Sequence, residues 1–560
     1  MAAACGTGVM AHEGNPMSRF PNANFSFEEI RKRGFNYVDK TGHALRLLSS
    51  YNNSTSFFLS RPRRFGKSLF LSTLKSALEG KGELFDGLAM NRQNYGFEKC
   101  PVIHLDMGYI DSSSVDSFNS GMNQIIADNR FSNGIQVDLS ASQFIQNLSS
   151  LVSALRFGTG EKVAVLIDEY DKPILNELGN KQHLKDLLNK LNNFYAFLKS
   201  GVGAGKIGFV FLTGVTKISH ASIFSGGNDV VDVSLDPQFA DVCGFTKEEI
   251  RLHFSESLEA ILPVNDWDGG EIKSLEGLLA KIYMKYDGYT WDGLTRVINP
   301  FSMINFLQTR EFDNFWFNTG TPTFLVKLAA EQKDDVNFLS LEDTAMSKMT
   351  LNAVSTNNIA LVPLMFQAGY LAVKNIRADG SLILGIPNGE VRQAFAQLTF
   401  NLLTDDEADS FKLKLGEDIR KAVLSGDDGE IRDCLMKIIN FSAYENIKRS
   451  EGFYNALFTA AFAVSGLDAW SEQSTVDGKI GILVKLPSDT VMIFELKYAK
   501  TPDDADACIT EARERLNDRS YRNAFIARGL SAHELIVVVT ERQSVFVQTN
   551  GLFHKPTTRS

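Results

Sequence analysis

Short continuous apolar runs alternate with longer amphipathic stretches along the first 240 or so residues. STSFFLS (54–60), CPVIHLDMG (100–108), the VAVLI run within EKVAVLIDEYDKPIL (161–175), KIGFVFLTGV (206–215) and DVVDVSLDP (229–237) have the length of strands. Their apolar positions are continuous rather than alternating, which predicts strands buried on both faces. Between them, segments such as HLKDLLNKLNNFYAFLKSG (183–201) repeat apolar positions at helical spacing. FSFEEIRKRG (25–34) reads as a short helix stopped by Gly34, and RPRRFGKSLFLSTLKSALEG (61–80) as a loop that opens into a helix. Strand alternating with helix predicts a parallel sheet covered on both faces.

The texture changes after Pro237. CGFTKEEIRLHFSESLEAIL (243–262), SLEGLLAKIYMKYDGYTW (274–291) and NPFSMINFLQTREF (299–312) predict an all-α lid. Residues 358–375 and 381–387 flank the turn signal ADG, and with EVRQAFAQLTFNLL (390–403) they predict a small helix-plus-hairpin, winged-helix-like segment. The last unit reads as a helix (453–465), a hairpin (479–486 and 490–497), a helix (503–516) and two strands (534–540 and 544–548). The expected organisation is a flexible tail (1–24), an α/β core (25–238), a helical lid (239–335), a winged-helix-like and helical linker (336–450) and an α+β domain (451–560).

Composition narrows the class. A chain of 560 residues with 44% hydrophobic and 22% charged residues is an ordinary multidomain globular protein. Five scattered cysteines without a CxxC pair argue against a disulfide scaffold and a thiolate zinc site, and the eight histidines show no HxH or HxxxH spacing. No apolar run reaches the ~18 residues of a membrane span, and the N-terminus lacks a signal pattern, so a soluble intracellular protein is expected. A net charge of −10 argues against a surface built wholly for nucleic acid, though not against a local basic groove. The 41 phenylalanines are assigned to aromatic cores.

Candidate chemistry concentrates in three strand ends. RPRRFGKS (61–68) occupies the place of a phosphate-binding loop between a strand and a helix. Against G-x-x-x-x-G-K-S/T (Walker A), Gly66, Lys67 and Ser68 match and Arg61 replaces the first Gly. The N–H groups of Arg64, Phe65, Gly66, Lys67, Ser68 and Leu69 would form an anion cradle at the helix N-terminus. Lys67 would reach the β- and γ-phosphates, and Ser68 would ligate Mg²⁺. LIDEYD (166–171) ends another strand in paired acids, a Walker B pattern. Asp168 would hold Mg²⁺ and Glu169 would orient and deprotonate the attacking water. The two motifs lie about 100 residues apart, which suits adjacent central strands. Thr213, in FLTGVTK (211–217), would contact the γ-phosphate or the water. Tyr170 and Asp171 read equally as site or structure, and Arg63 and Arg64 as phosphate contacts, trans-acting arginines or solvated cations.

FNYVDKTGHALRLL, FFLSRPRRFGKSLFLSTLKSALEGKGELFDGL, PVIHLD, LIDEYDKPIL, FLTGVTKISHASIFSGGNDVVDVSLDPQFADVCGFTKEEI, KYDGYTW, NPFSMINFL and FWFNTGTPTFLVKL resemble the AAA-ATPase-like family of P-loop NTPases. Its members typically carry a C-terminal PD-(D/E)XK nuclease-superfamily domain of restriction-endonuclease-like fold. The resemblance runs from about residue 20 to 550 and includes the RPRRFGKS form of the loop. It implies ATP and Mg²⁺ at Lys67, Ser68, Asp168 and Glu169. It also covers Tyr286–Tyr289 (YDGY), for which the sequence offers only a turn and packing.

The family's nuclease-like domain places an Asp on one hairpin strand and E-x-K on the next. MIFELKYAK (492–500) supplies Glu495 and Lys497, which strand alternation puts on one face. In GKIGILVKL (478–486) Gly481 stands where the Asp belongs. Asp477, Glu472 and Glu451 are other acids nearby, none an obvious replacement. Losing one of two anionic ligands weakens a Mg²⁺ site, so the expectation is a degenerate nuclease fold. The chain is therefore expected to be a Mg²⁺-dependent ATP-binding and ATP-hydrolysing protein whose nucleotide state controls an impaired nuclease-fold domain. A non-catalytic nucleotide-binding scaffold for a protein or nucleic-acid partner and an active ATP-regulated DNA nuclease are the alternatives. An oligomer is compatible with all three.

Overall fold

The five apolar runs of the N-terminal half pair into one parallel sheet: β1 (Thr55–Ser60), β2 (Val102–Asp106), β3 (Val163–Asp168), β4 (Ile207–Gly214) and β5 (Val230–Asp232). The structure is a computed structural model that describes residues 20–21, 25–49, 55–177, 180–217, 230–266, 270–320, 341–352, 360–404, 408–442, 449–475, 478–486, 489–519, 521–541 and 544–550. The rest of the expected tail, residues 218–229 and 321–328 of the motif blocks, and Asp477 lie outside the described residues, as does the side chain of Glu472.

The strand order is β2-β3-β4-β1-β5. Every residue of β3 and β4 is buried, as strands covered on both faces require. The phosphate-loop strand β1 and the acid-bearing strand β3 are not neighbours, contrary to the sequence expectation. β4 lies between them, pairing Thr213 with Leu59 on one side and Leu212 with Ile167 on the other. Crossover helices let a later strand insert between earlier ones, so separation along the chain does not fix adjacency. The insertion brings the ends of β1, β4 and β3 side by side.

Local signals explain the element ends. Ser26 and Glu29 form a capping box for the helix Phe27–Arg33, and Gly34 ends it in the left-handed conformation. The helix Lys67–Leu78 follows β1 through Gly66, whose φ of 94° favours glycine. Thr246 and Glu249 box the helix Lys247–Ala260, and Asn299 followed by Pro300 caps the helix Pro300–Thr309. With the helix Leu275–Tyr286, these share a core that includes Ile250, Phe254, Leu278, Ile282, Met303 and Phe306. The segment expected as an all-α lid is not purely helical. It contains two small ribbons, β6 (Val264–Asn265) with β7 (Glu271–Ile272) and β8 (Asp287–Tyr289) with β9 (Val297–Ile298). Strands of two or three residues are too short for hydrophobic periodicity to reveal.

The chain divides into two compact units, Met1–Phe315 with Val354–Ile359, and Trp316–Ala353 with Ala360–Ser560. In the second, β11 (Ala372–Ile376) and β12 (Leu382–Gly385) form the expected hairpin, and an unforeseen strand, β10 (Thr344–Met346), pairs with β12. The C-terminal sheet has the order β13-β14-β15-β16-β17: β13 (Asp468–Thr475), β14 (Gly478–Leu486), β15 (Thr490–Ala499), β16 (Ser531–Thr540) and β17 (Val545–Thr549). β15 and β16 are parallel and the other pairs antiparallel. Alternation along β15 serves two helices. Val491, Ile493 and Ala499 share a core with Ala512 and Leu516 of the helix Ala505–Arg519. Phe494 and Tyr498 meet Phe462 and Tyr454 of the helix Glu451–Val464. No helix among the described residues is long and apolar enough to cross a membrane.

Candidate nucleotide site and the C-terminal sheet

Lys67 is the first residue of its helix and is only 4% exposed. Its Nζ donates to the Pro62 carbonyl at 3.1 Å and lies 3.9 Å from Glu169 Oε1. The loop that ends β1 and the turn that ends β3 therefore present a cation and an anion to each other. Ser68 is exposed at the same helix start.

Asp168 ends β3 and is 3% exposed. Burial, together with the negative charges of Glu169 and Asp106, raises its carboxyl to about 6, while hydrogen bonding to Ser68 and the charge of Lys67 oppose that rise. A buried acid held by a hydroxyl and crowded by two more carboxylates is a place that favours a cation. Glu169 leaves the strand at φ 50°, uncommon for a residue with a side chain, and its N–H donates back to Asp168 Oδ1 at 2.9 Å. Asp106 pairs in register with Asp168, and the Gly108 N–H donates to its Oδ1 at 2.8 Å. A Cβ at Gly108 would lie 3.0 Å from Asp106 Oδ1 and 3.6 Å from Glu169 Cγ, so both acidic side chains crowd that glycine. Asp106 is a site neighbour to which the sequence reading gave no role of its own. HLD in the second strand signals it only once β2 is known to lie beside β3.

Thr213 is fully buried on β4, and its Oγ1 has no hydrogen-bond partner among the described residues. Tyr170 and Asp171 are tied into the fold. The Tyr170 hydroxyl donates to the Thr216 carbonyl at 2.6 Å. Asp171 accepts from the N–H of Thr216 at 2.6 Å and from its hydroxyl at 2.7 Å, locking the end of β3 to the end of β4. Burial raises the Asp171 carboxyl.

Arg61, the departure from the usual glycine, points away from the phosphate cradle into the protein. It is fully buried, donating to the carbonyls of Ser60 at 2.9 Å, Ser234 at 2.8 Å and Phe239 at 2.8 Å. Burial lowers its guanidinium to about 10. Arg64 is exposed, with φ 65°, and its guanidinium lies 5.2 Å from the Phe301 ring centroid. The Phe65 ring is buried, which leaves its backbone N–H as the group it can offer a ligand.

In the C-terminal sheet Glu495 and Lys497 share a face, as alternation predicts, and meet one helix. Arg515 Nη1 lies 2.8 Å from Glu495 Oε1, and Lys497 Nζ donates to Glu511 Oε1 at 2.8 Å. Glu451 stands 4.0 Å from Lys497. The β14–β15 ladder ends at Ile482 paired with Phe494, one residue before Gly481 would oppose Glu495. A Cβ at Gly481 would come within 2.8 Å of the Phe494 carbonyl oxygen, and Asn455 Nδ2 donates to the Gly481 carbonyl at 3.0 Å. These residues do not suit a divalent cation: the expected carboxylate is replaced by backbone contact, and a guanidinium neutralises the remaining one. Arg515 was missed, since nothing in its helix marks it as facing the ELK strand.

A protein of Azotobacter chroococcum mcd 1, described only as uncharacterised and encoded in the vnfD 5′ region, is 32% identical over 520 residues, spanning 91% of this chain and 94% of the relative. Residues 21–224 match the family described as predicted AAA-ATPase. The chain belongs to the predicted AAA-ATPase family. Residues 449–549 match the PD-(D/E)XK nuclease superfamily, so the C-terminal sheet is that fold. Among solved structures, a Walker-type ATPase of Pyrococcus abyssi is 12% identical with a TM-score of 0.36, covering 64% of this chain and 96% of that one. The ORC2 protein of Aeropyrum pernix is 10% identical with a TM-score of 0.26, covering 64% and 92%.

Proposed function

We propose that the first unit binds ATP with Mg²⁺ and hydrolyses it, and that the second carries a nuclease fold that does not cleave. The observation that carries the first part is the convergence of Lys67, Asp168 and Glu169, with Lys67 Nζ 3.9 Å from Glu169 Oε1. A family ATPase domain over residues 21–224 supports it.

The backbone N–H groups from Arg64 to Leu69 cradle the phosphates at a helix N-terminus. Lys67 exchanges its contact with the Pro62 carbonyl for phosphate oxygens. Ser68 and Asp168 would hold Mg²⁺, which when bound neutralises charge on the β- and γ-phosphate oxygens. Glu169 accepts the proton of the attacking water, and its fixed left-handed turn aims the carboxylate. Thr213 offers its buried hydroxyl to the water or the γ-phosphate.

The nucleotide state governs the C-terminal domain in this reading. Its support is the match to one relative along 91% of this chain, which keeps both units together. The second unit then acts by recognising a protein or nucleic-acid partner. Calorimetric titration of the full chain with ATP and Mg²⁺ tests the first part: wild type binds and Lys67→Ala does not. Incubation with supercoiled and single-stranded DNA in Mg²⁺ or Mn²⁺ tests the second. Cleavage that disappears in Glu495→Ala would restore an active nuclease.

A further inference from the structure

We infer that Trp291 is a positioning residue for the phosphate loop, reporting the loop's state to the helical lid. The inference rests on the nucleotide-binding reading above. Its physical basis is that two loop side chains meet Tyr289 and Trp291 and a third meets the helix that follows. The Arg61 guanidinium lies 4.0 Å from the Trp291 ring centroid. The Phe65 ring meets Tyr289 edge-on at 4.8 Å and Trp291 at 5.6 Å. Arg64 lies over Phe301.

Arg61 connects this contact to the loop's backbone. Its side chain holds the carbonyl of Ser60, immediately before the loop, and its own N–H donates to Gly214 at the end of β4 at 3.2 Å. No carboxylate forms an ion pair with Arg61 among the described contacts; carbonyl dipoles and the Trp291 π-face touch the buried cation, and the charges of Asp232, Asp241 and Asp292 favour it from farther away. A desolvated cation over a tryptophan is the strong form of that interaction. It explains why arginine can stand at a position where phosphate loops usually carry glycine: the side chain leaves the cradle and is stabilised elsewhere.

The lid side of the contact is tied to its surroundings by backbone pairing and polar contacts. β8 pairs with β9 beside Trp291, and Asp287 meets Lys247 at 3.1 Å. Asp292 accepts from the N–H groups of Leu294 at 2.9 Å and Thr295 at 2.7 Å, and from the Thr295 hydroxyl at 2.7 Å, which fixes the turn after Trp291. A rearrangement of residues 61–66 on phosphate binding would change the packing against Tyr289 and Trp291, because packed aromatic contacts hold discrete arrangements.

The test is calorimetric titration of the full chain with ATP and Mg²⁺, alongside intrinsic fluorescence, for wild type, Trp291→Phe, Trp291→Ala and Lys67→Ala. The expected result is a nucleotide-dependent emission change in wild type that is lost in Trp291→Phe, although that variant still binds. Trp291→Ala should bind roughly tenfold more weakly. Trp291→Phe keeps an aromatic face for Arg61 and provides the fluorescence readout if the alanine variant fails to fold. Wild-type affinity in Trp291→Ala, or an unchanged emission response in Trp291→Phe, overturns the inference while leaving nucleotide binding intact. No binding by wild type overturns the nucleotide reading itself and the inference with it.

Discussion

Replacing Arg515 should reveal what neutralises the C-terminal carboxylate. Glu495 is almost completely buried and lies 2.8 Å from Arg515, whose side chain is 30% exposed. Removing one partner of a fully buried pair costs about 3–5 kcal/mol, because the other charge is left without compensation. Partial exposure of Arg515 places this pair below that range, at about 2–3 kcal/mol. For a folding unit of 150–250 residues each kcal/mol moves Tm by about 2–4 °C. Arg515→Met should therefore lower the melting transition of the second unit by about 5–10 °C. Glu495→Gln with Arg515→Met should recover most of the loss, since a neutral pair needs no counter-charge. Differential scanning calorimetry of the full chain, run as a double-mutant cycle, measures both terms. Two results refute the reasoning. One is an unchanged melting profile in Arg515→Met. The other is a wild-type rise in Tm with Mg²⁺ or Mn²⁺ that disappears in Glu495→Gln, which would mean that Glu495 takes a metal.

Asp168→Asn removes a carboxylate that the fold raises from 3.8 to about 6; at 1.36 kcal/mol per pKa unit, the nucleotide-free protein should gain up to about 3 kcal/mol at pH 7, read by chemical denaturation, while Mg²⁺-dependent ATP affinity is lost. Because the folded pKa lies above the ordinary value, ionised Asp168 opposes folding above about pH 6, and this penalty fades as pH falls from 6 toward 3.8. Its contribution to nucleotide-free stability thus increases on acidification through that window, whereas Mg²⁺-ATP affinity falls as Asp168 takes up its proton; paired denaturation and titration series between about pH 4 and 7.5 check the opposite signs. Gly481→Asp forces a Cβ to within 2.8 Å of the Phe494 carbonyl oxygen, so it should cost about 1–3 kcal/mol and yield no DNA cleavage while Arg515 holds Glu495; melting and a plasmid-nicking assay read the two outcomes.

The first unit was legible where chemistry and periodicity coincide. The strand runs, Gly66–Lys67–Ser68, and Asp168–Glu169 are local patterns, and the backbone realises them locally. Strand order was not legible: β4 enters between β1 and β3, a choice made by crossover packing. Asp106 became visible only through that order, since its importance comes from its register partner Asp168. Arg61 looked like a missing glycine in one dimension; its burial against Trp291 depends on residues more than 200 positions away. In the C-terminal unit, alternation correctly placed Glu495 and Lys497 on one face. Their partners, Arg515 and Glu511, sit on a helix whose rotation over the sheet is set by Ala512 and Leu516 in the shared core.

The most direct test of ATP hydrolysis is single-turnover phosphate release from ATP and Mg²⁺ by wild type, beside Glu169→Gln. Wild type should release phosphate, and Glu169→Gln should bind ATP with unchanged affinity and release it at least a hundredfold more slowly, as expected when a general base is lost. Equal release rates in the two proteins would contradict the assignment of Glu169 as the base, and ATP bound by wild type without any release would contradict that of the first unit as an ATPase.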